Sequence, residues 1–490
     1  MNFHSVEFLV FLAVVLPAFW LLANKRTARH TMLLGASLLF YGAYEVWFLS
    51  LLVFSTLLDW YCGNAIHRAN QRGDRRGAKI GLACSLAGNL GVLGFFKYTD
   101  WAAQSLTTLA QSLGLGIDPW ALRTRLIPDF LLDDATARIL VPVGISFYTF
   151  QTLSYTIDVY RGQLKPARNA LEFALFVSFF PQLVAGPIVR ASDFLPQLEL
   201  RPRHSRARLH EGLWRISTGL LKKVAFADVI GSQLVDPVYA QPELYTPLVH
   251  ALALYGFAFQ IYCDFSGYSD IAIGTSKLLG FDLTENFVTP YRSRSVREFW
   301  RRWHISLSSW VRDYIFFPLG GSRGKELFVA RNLMITMLVI GLWHGASILW
   351  AIYGFVQGAT MVLERFCERL RGGRQFATTP VKSAISWALT FHFIVISCIF
   401  IRARSVDANE SLVGIVSVFG DGGVTSISHW AWWALAGAAL THFAPLGLTA
   451  TVHRLFQRSP TLVVGIVTGL AAGAVAVLVV GETPYIYFQF

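Results

Sequence analysis

The stretch LMITMLVIGLWHGASILWAIYGFVQGATMVL, residues 333–363, contains no Asp, Glu, Lys or Arg. A helix crosses the hydrocarbon core of a bilayer with about 20 predominantly apolar residues, so this run can span a membrane and continue. One imidazole stands inside it, His344, in GLWHG. The run therefore reads as membrane-embedded helix carrying a single acid–base group that titrates near neutral pH.

The rest of the chain extends the pattern. Thr461–Val480 is another uncharged run. Of 490 residues, 54% are hydrophobic and 15% charged, where soluble domains carry about 25% charged residues. Mean hydropathy is +0.47. This composition predicts an all-α polytopic membrane protein. The net charge of +12 is not read as a nucleic-acid signal. The basic residues gather between apolar runs, at 25–30, 67–79, 161–168, 201–208, 297–323 and 365–374, as the positive-inside bias places them in the cytosol. The acid-rich segment 118–138 then lies outside. MNFHSVEF lacks the basic start of a signal peptide, so the first run, about residues 6–23, reads as a retained helix with an external N-terminus. Arg454 and Arg458 precede the last run and put residues 481–490 outside. Both termini are then external, which requires an even number of crossings. The five cysteines lie in or beside apolar segments, without metal-ligand or disulfide spacing.

Two segments are poor simple spans. VPVGISFYTFQTLSYTID (141–158) and FFPQLVAGPIV (179–189) carry Pro, Gly and polar side chains. Such backbone is tolerated at membrane depth only inside a protein bundle or beside a wet cavity. The expectation is one membrane domain, 1–480, with a polar interior and re-entrant or interfacial pieces, followed by an extracytoplasmic aromatic tail, 481–490.

REFWRRWHISLSSWVRDYIFFPLGGSR (297–323) concentrates arginine and tryptophan. On a helical wheel of about 100° per residue, Arg297, Arg301, Ser308 and Arg312 share one face. Trp300, Trp303, Leu307, Trp310, Val311 and Tyr314 form an adjoining face, with His304 on the border. This predicts one amphipathic helix over 297–314, lying at the cytosolic interface. Such a helix suits an anchor on anionic membrane lipids. It equally suits a wall for the phosphates of a thioester donor, which match forked guanidinium groups. The wheel leaves both open.

An ionisable group at membrane depth is costly, which makes His344 a functional candidate. Gly341 and Gly345 flank it and allow a backbone or a substrate to approach. A neutral imidazole suits general-base work; a structural hydrogen bond across helices is the competing reading. Asp264, Ser266 and Asp270, Lys222, Lys223 and Asp228, and Gln151 and Asp158 are further polar residues in apolar segments. Each also fits a plain bundle contact.

The ordered set LVPVGISFYTFQTLSYTIDVYRG, FFPQLVAGPIVR, GLLKKVAFAD, YCDFSGYSDIAIG, EFWRRWHISLSSWVRDYIFFPLGGSR and GLWHGA resembles the membrane-bound O-acyltransferase family. The likeness runs from the N-terminus to about residue 404. One departure is Ile401-Arg402-Ala403 where relatives often show Phe-Arg-Ala. The resemblance implies an hourglass-like helical fold, with a thin floor between a cytosolic entrance and an extracytoplasmic funnel. It places the essential histidine on His344 near that floor and the second family histidine on His304. It implies acyl transfer from a cytosolic thioester, acetyl-CoA, to a hydroxyl acceptor outside, with no metal. It favours Arg301, Arg302 and Trp303 as donor entrance, with Asp264 and Asp228 as supporting polar groups.

The ending TPYIYFQF (483–490) resembles the C-terminal aromatic motif of members that work with a secreted partner, and implies Tyr487 as a transient acyl acceptor, with Tyr485 the alternative. Nine extended residues from Glu482 reach roughly 30 Å, enough to fold back towards His344. A phenol, with a pKa of about 10, gives an ester that passes its acyl group downhill to a sugar hydroxyl.

The expected protein is thus a bacterial inner-membrane acetyltransferase subunit. It would serve periplasmic SGNH-type acetyltransferase partners that modify an exported polysaccharide, alginate first among them. D-alanyl transfer to teichoic acid competes, although that branch usually carries its tail tyrosine on a separate chain; acetylation of peptidoglycan or cellulose remains open. From a different class, a transporter or flippase would use His344 as a proton relay, but no inverted repeat is visible by eye.

Overall fold

The computed structural model describes residues 1–133, 136, 138–372, 379–402 and 423–478. Among these residues the regular elements are helices, with no β-strand. The protein is a multi-pass membrane bundle. Val6–Leu21 (α1) and Arg26–Gly42 (α2) begin it. Phe48–Gln71 (α3) and Arg75–Ser112 (α4) form a hairpin. Its turn uses Gly73 in the left-handed region, φ +70°, and Asp74 caps α4 by accepting from the Gly77 amide at 2.9 Å.

Next come Ile145–Tyr160 (α5), Arg206–Leu220 (α6) and Pro247–Leu278 (α7). Val296–Arg302 (α8) and Ile305–Val311 (α9) are short. Glu326–His344 (α10), Ile348–Leu370 (α11) and Pro380–Ser397 (α12) follow. His429–Phe443 (α13), Leu446–Arg458 (α14) and Thr461–Leu478 (α15) complete the described chain. Among the described residues five helices are long and apolar enough to cross a membrane: α3, α4, α7, α10 and the stretch Pro380–Arg402 that begins with α12. The pair α13 and α14 bends by 94°, which fits a broken or re-entrant span.

The two poor spans behave as their composition requires. α5 is buried along nearly its whole length, so protein surrounds it. Residues 179–189 are buried too, yet contain only the one-turn helix Phe180–Leu183. Side chains satisfy this broken backbone. The Phe180 amide donates to Ser37 Oγ at 3.1 Å and the Ile188 amide to Ser306 Oγ at 3.0 Å. Gln182 Nε2 donates to Phe176 O at 2.6 Å. Irregular backbone is tolerated at this depth where protein groups such as these supply hydrogen-bond partners.

α6 and α7 pack along glycines: a Cβ on Gly219 would lie 2.6 Å from Gly267 O. Small residues permit this backbone approach. Ion pairs then bridge the helices, Arg215 and Lys222 to Asp270 at 2.8 and 2.6 Å.

The uncharged run 333–363 is not one continuous helix. It turns at Gly345–Ser347 into α10 and α11. Gly345 is extended (φ −155°, ψ 146°), and Ser347 Oγ caps α11 by accepting from the Leu349 amide at 3.2 Å. His344 therefore ends a helix instead of sitting in the middle of one.

The single amphipathic helix expected over 297–314 is also corrected. It breaks between α8 and α9 at His304, which is left-handed (φ +43°), and continues as a π-helical turn, Arg312–Phe316. Its aromatic face is not interfacial: Trp300, Trp303, Leu307 and Trp310 are buried in the bundle. Arg297 is held by Glu368 at 2.5 Å, and Glu364 accepts from the Val296 and Arg297 amides. The rings face protein, so the segment is interior structure.

Candidate active site

The last turn of a helix leaves carbonyls without intrahelical partners. At the end of α10 these are met from α4. Tyr98 Oη donates to Leu342 O at 2.7 Å, and Lys97 Nζ donates to Trp343 O and, at 3.2 Å, to His344 O. A cation there also favours the negative end of the helix dipole. His344 is thus held at a fixed height, 7% exposed. Its ring lies 5.2 Å from Trp350, nearly parallel at 20°, and 5.0 Å from Trp343. A cavity of about 80 Å³ reaches it, lined by His344, Trp343, Lys97, Phe147, Val184 and the 141–146 segment.

The second histidine is adjacent. His304 is fully buried, and its ring centroid is 6.4 Å from that of His344. Asn286 organises it. Asn286 Oδ1 accepts from the Ser306 amide at 3.2 Å and from Ser306 Oγ at 3.0 Å, and the Ile305 amide donates to Asn286 O at 3.0 Å. The same Oδ1 is 3.2 Å from His304 Nδ1. Because a backbone N–H can only donate, Oδ1 is fixed as the acceptor. The Nδ1 contact then carries the proton on Nδ1, and leaves Nε2 as the basic nitrogen. The structure brings His304 and His344, the two histidines the resemblance singled out, to ring centroids 6.4 Å apart.

Beyond the histidines, stacked rings continue into the bundle. Trp343 stacks on Phe150 at 5.3 Å and 13°, and Phe150 on Trp310 at 3.9 Å and 7°. Trp310 donates its indole N–H to Phe150 O at 2.9 Å and lies 4.9 Å from Tyr314. Tyr314 opens on a second cavity, about 630 Å³, whose walls include Arg161, Arg190, Asp158 and Asp313. Arg161 and Arg190 lie over the Tyr314 ring at 5.3 and 5.4 Å. Tyr314 Oη donates to Asp158 Oδ2 at 2.8 Å. Burial works to raise the Asp313 carboxyl, but bonds from Arg312 and Arg190 outweigh it and hold it below the usual carboxylate range. A small cavity at His344 and a bowl of two arginines and two carboxylates at Tyr314, with Arg190 paired to Asp313 at 2.5 Å, thus terminate one column of rings.

The other expected residues lie elsewhere. Arg301 is exposed, and Arg302 pairs with Glu298 at 2.8 Å. Trp303 is buried between Phe299 and Phe287. None of the three lines the cavity at His344. Asp264 and Asp228 both bind the buried Lys223, at 2.7 and 2.8 Å, so they neutralise a cation where the π-helical stretch Leu221–Asp228 packs on α7. Arg402 pairs with Asp236 at 2.8 Å. Tyr485 and Tyr487 lie outside the described residues. Sequence reasoning missed Lys97, Asn286 and the bowl arginines. Lys97 had a signal, a lone cation in GVLGFFKY; Asn286 had none.

One imidazole at a cavity, with a second buried 6.4 Å away, within a helical membrane bundle defines the class: a multi-pass membrane enzyme with a buried histidine centre. Likeness in sequence supplies the family. Residues 163–403 match the membrane-bound O-acyltransferase family. The chain is 38% identical over 417 residues to a probable alginate O-acetylase of Pseudomonas putida, covering 84% of this chain and 80% of that protein. It is 33% identical over 453 residues to a peptidoglycan O-acetyltransferase of Helicobacter pylori, covering 87% and 79%. A teichoic acid D-alanyltransferase of Streptococcus thermophilus is 33% identical over 244 residues, 47% of this chain and 58% of that protein. The chain belongs to the membrane-bound O-acyltransferase family and is an O-acyltransferase.

Proposed function

We propose that the protein moves acetyl from cytosolic acetyl-CoA to the outer side of the bacterial inner membrane, for O-acetylation of an exported polysaccharide, with alginate the best-supported acceptor. The observation that carries this reading is the position of His344, at a cavity on one side and on a ring column leading to an arginine-bearing bowl on the other. Both termini lie in the periplasm, the domain occupies 1–480, and the tail 481–490 folds back towards the cavity.

In the proposed reaction His344 takes the proton of the Tyr487 phenol as its oxygen attacks the thioester carbonyl. The new C–O bond forms, the C–S bond breaks, and the departing thiolate receives that proton. His304, oriented by Asn286, supports the imidazole from the inner side. Arg161 and Arg190 receive the donor phosphates at the bowl, Arg190 exchanging its present ion pair with Asp313 at 2.5 Å for the phosphate. A periplasmic SGNH-type transferase then carries acetyl from Tyr487 to the polysaccharide. D-alanyl transfer has weaker support, because that relative aligns with under half of the chain.

Intact-mass analysis of the C-terminal peptide tests the carrier. After incubation with acetyl-CoA the wild type gains roughly 42 Da, one acetyl group. Tyr487→Phe gains nothing. An adduct that persists in Tyr487→Phe and vanishes in Tyr485→Phe moves the role to Tyr485; no adduct in the wild type overturns covalent transfer through the tail.

A further inference from the structure

Away from both cavities of the catalytic column, two contiguous hollows lie where α1, α6 and the end of α7 meet. The larger is about 1120 Å³, with Arg201, Arg203, Arg208 and Asp282 in its wall. The smaller is about 330 Å³ and runs along Leu16, Pro17, Leu209, Leu213 and Leu278. They share Trp20, Arg203, His204, Ser205 and Arg208. None of these residues lines the cavity at His344 or the bowl at Tyr314.

We propose that this cleft binds an anionic membrane phospholipid, with its phosphate on Arg201 and Arg203 and an acyl chain in the leucine groove. The charge balance calls for an anion. The one carboxylate, Asp282, is already held by Arg208 at 2.6 Å and Lys277 at 3.1 Å, and Arg208 also binds Gly280 O. Arg201 and Arg203 are exposed and have no hydrogen-bond or ion-pair partner among the described residues. The apolar arm calls for an amphiphile, because a soluble phosphate compound has no group to place against leucines. Basic pockets between membrane helices bind anionic lipid head groups.

The boundary between the two arms is built, not incidental. The Trp20 indole N–H donates to Leu278 O at 3.2 Å, and its ring meets His204 edge-on at 5.5 Å. Tryptophan is favoured at the depth where head groups give way to chains. Pro17 lines the groove on α1, where its missing N–H removes one helix hydrogen bond.

The test uses the full-length protein in nanodiscs of phosphatidylcholine with or without a minority of phosphatidylglycerol, read by native mass spectrometry and thermal unfolding. The wild type retains phosphatidylglycerol in preference to phosphatidylcholine and unfolds at a higher temperature when it is present. Arg201→Gln with Arg203→Gln weakens that retention by roughly 30-fold, about fivefold for each basic residue at about 1 kcal/mol. Arg72→Gln with Arg76→Gln, which removes equal charge from the α3–α4 turn, leaves it unchanged. Leu213→Trp, which fills the apolar arm, lowers retention with the arginines intact, and decides the matter if the double arginine variant fails to fold. Retention equal in the arginine and wild-type proteins, no preference over phosphatidylcholine, or displacement of the lipid by coenzyme A would each overturn the proposal; the last would assign the cleft to the donor.

Discussion

Gly341 offers a sharp test of how closely helix packing sets the height of His344. A Cβ at Gly341 would lie 2.3 Å from Trp350 O and 3.1 Å from Gly354 Cα and N. Across the contact, a Cβ at Gly354 would lie 2.4 Å from Met337 O. These are backbone atoms, so no rotamer change relieves them. Opening 2.3 Å to the 3.4 Å at which ordinary contact begins requires α10 and α11 to separate by about 1 Å, and overpacking of this kind costs about 1–3 kcal/mol. The separation acts on the two helices that flank His344. A reacting group displaced by about 1 Å loses roughly 100-fold in rate, or about 2.7 kcal/mol of barrier. Gly341→Ala is therefore expected to lower the initial rate of acetyl transfer about 100-fold at matched protein abundance, and Gly354→Ala to do likewise. Gly91→Ala, whose Cβ meets nothing within 4 Å, serves as control and should transfer at the wild-type rate. The assay is incorporation of radiolabelled acetyl from acetyl-CoA into membranes, with unfolding temperature measured in parallel. A Gly341→Ala protein within twofold of wild type would refute the claim that this contact positions the histidine.

Two further outcomes follow from the site. Asn286→Ala leaves the buried His304 Nδ1 without its acceptor, a loss of about 1–3 kcal/mol. It should lower turnover by roughly 5- to 150-fold while the KM for acetyl-CoA changes little; a raised KM with normal turnover would contradict its role in orienting the imidazole. Arg161→Gln and Arg190→Gln each remove a charge-assisted contact from the bowl, worth about 1.5–3 kcal/mol. Donor titration should show KM raised at least tenfold, and an unchanged KM in both would place the donor phosphates elsewhere.

The sequence disclosed the membrane bundle and its central histidine because both rest on local signals. An uncharged run is visible in any window, and one imidazole inside it has no neighbour to confuse the reading. The pairing of His304 with His344 came from resemblance alone, since 39 intervening positions separate them. The break at His304 was invisible for a physical reason. Residues 297–314 contain no Gly or Pro and suit a wheel well, but a tertiary partner, Asn286, captures the Ser306 amide that an unbroken helix would use. Lys97 was legible as a lone charge in an apolar run, yet its task depends on where α10 stops. The wheel over 297–314 suited a phosphate wall without deciding for it, and the resemblance alone favoured Arg301 and Arg302 as the donor entrance. The fold pairs Arg302 with Glu298, and it gathers Arg161, Arg190, Asp158 and Asp313 into a bowl that no local pattern joins.

The central claim is that acetyl passes through the protein only when the imidazole at the end of α10 removes a proton. The direct measurement is a single-turnover transfer of labelled acetyl from acetyl-CoA into purified protein carrying His344→Ala, at a concentration where the folded wild type reacts fully. The account predicts a loss of at least 100-fold in rate, the lower end of general-base catalysis at about 10²–10⁴, with normal folding. Labelling of His344→Ala at the wild-type rate would contradict it.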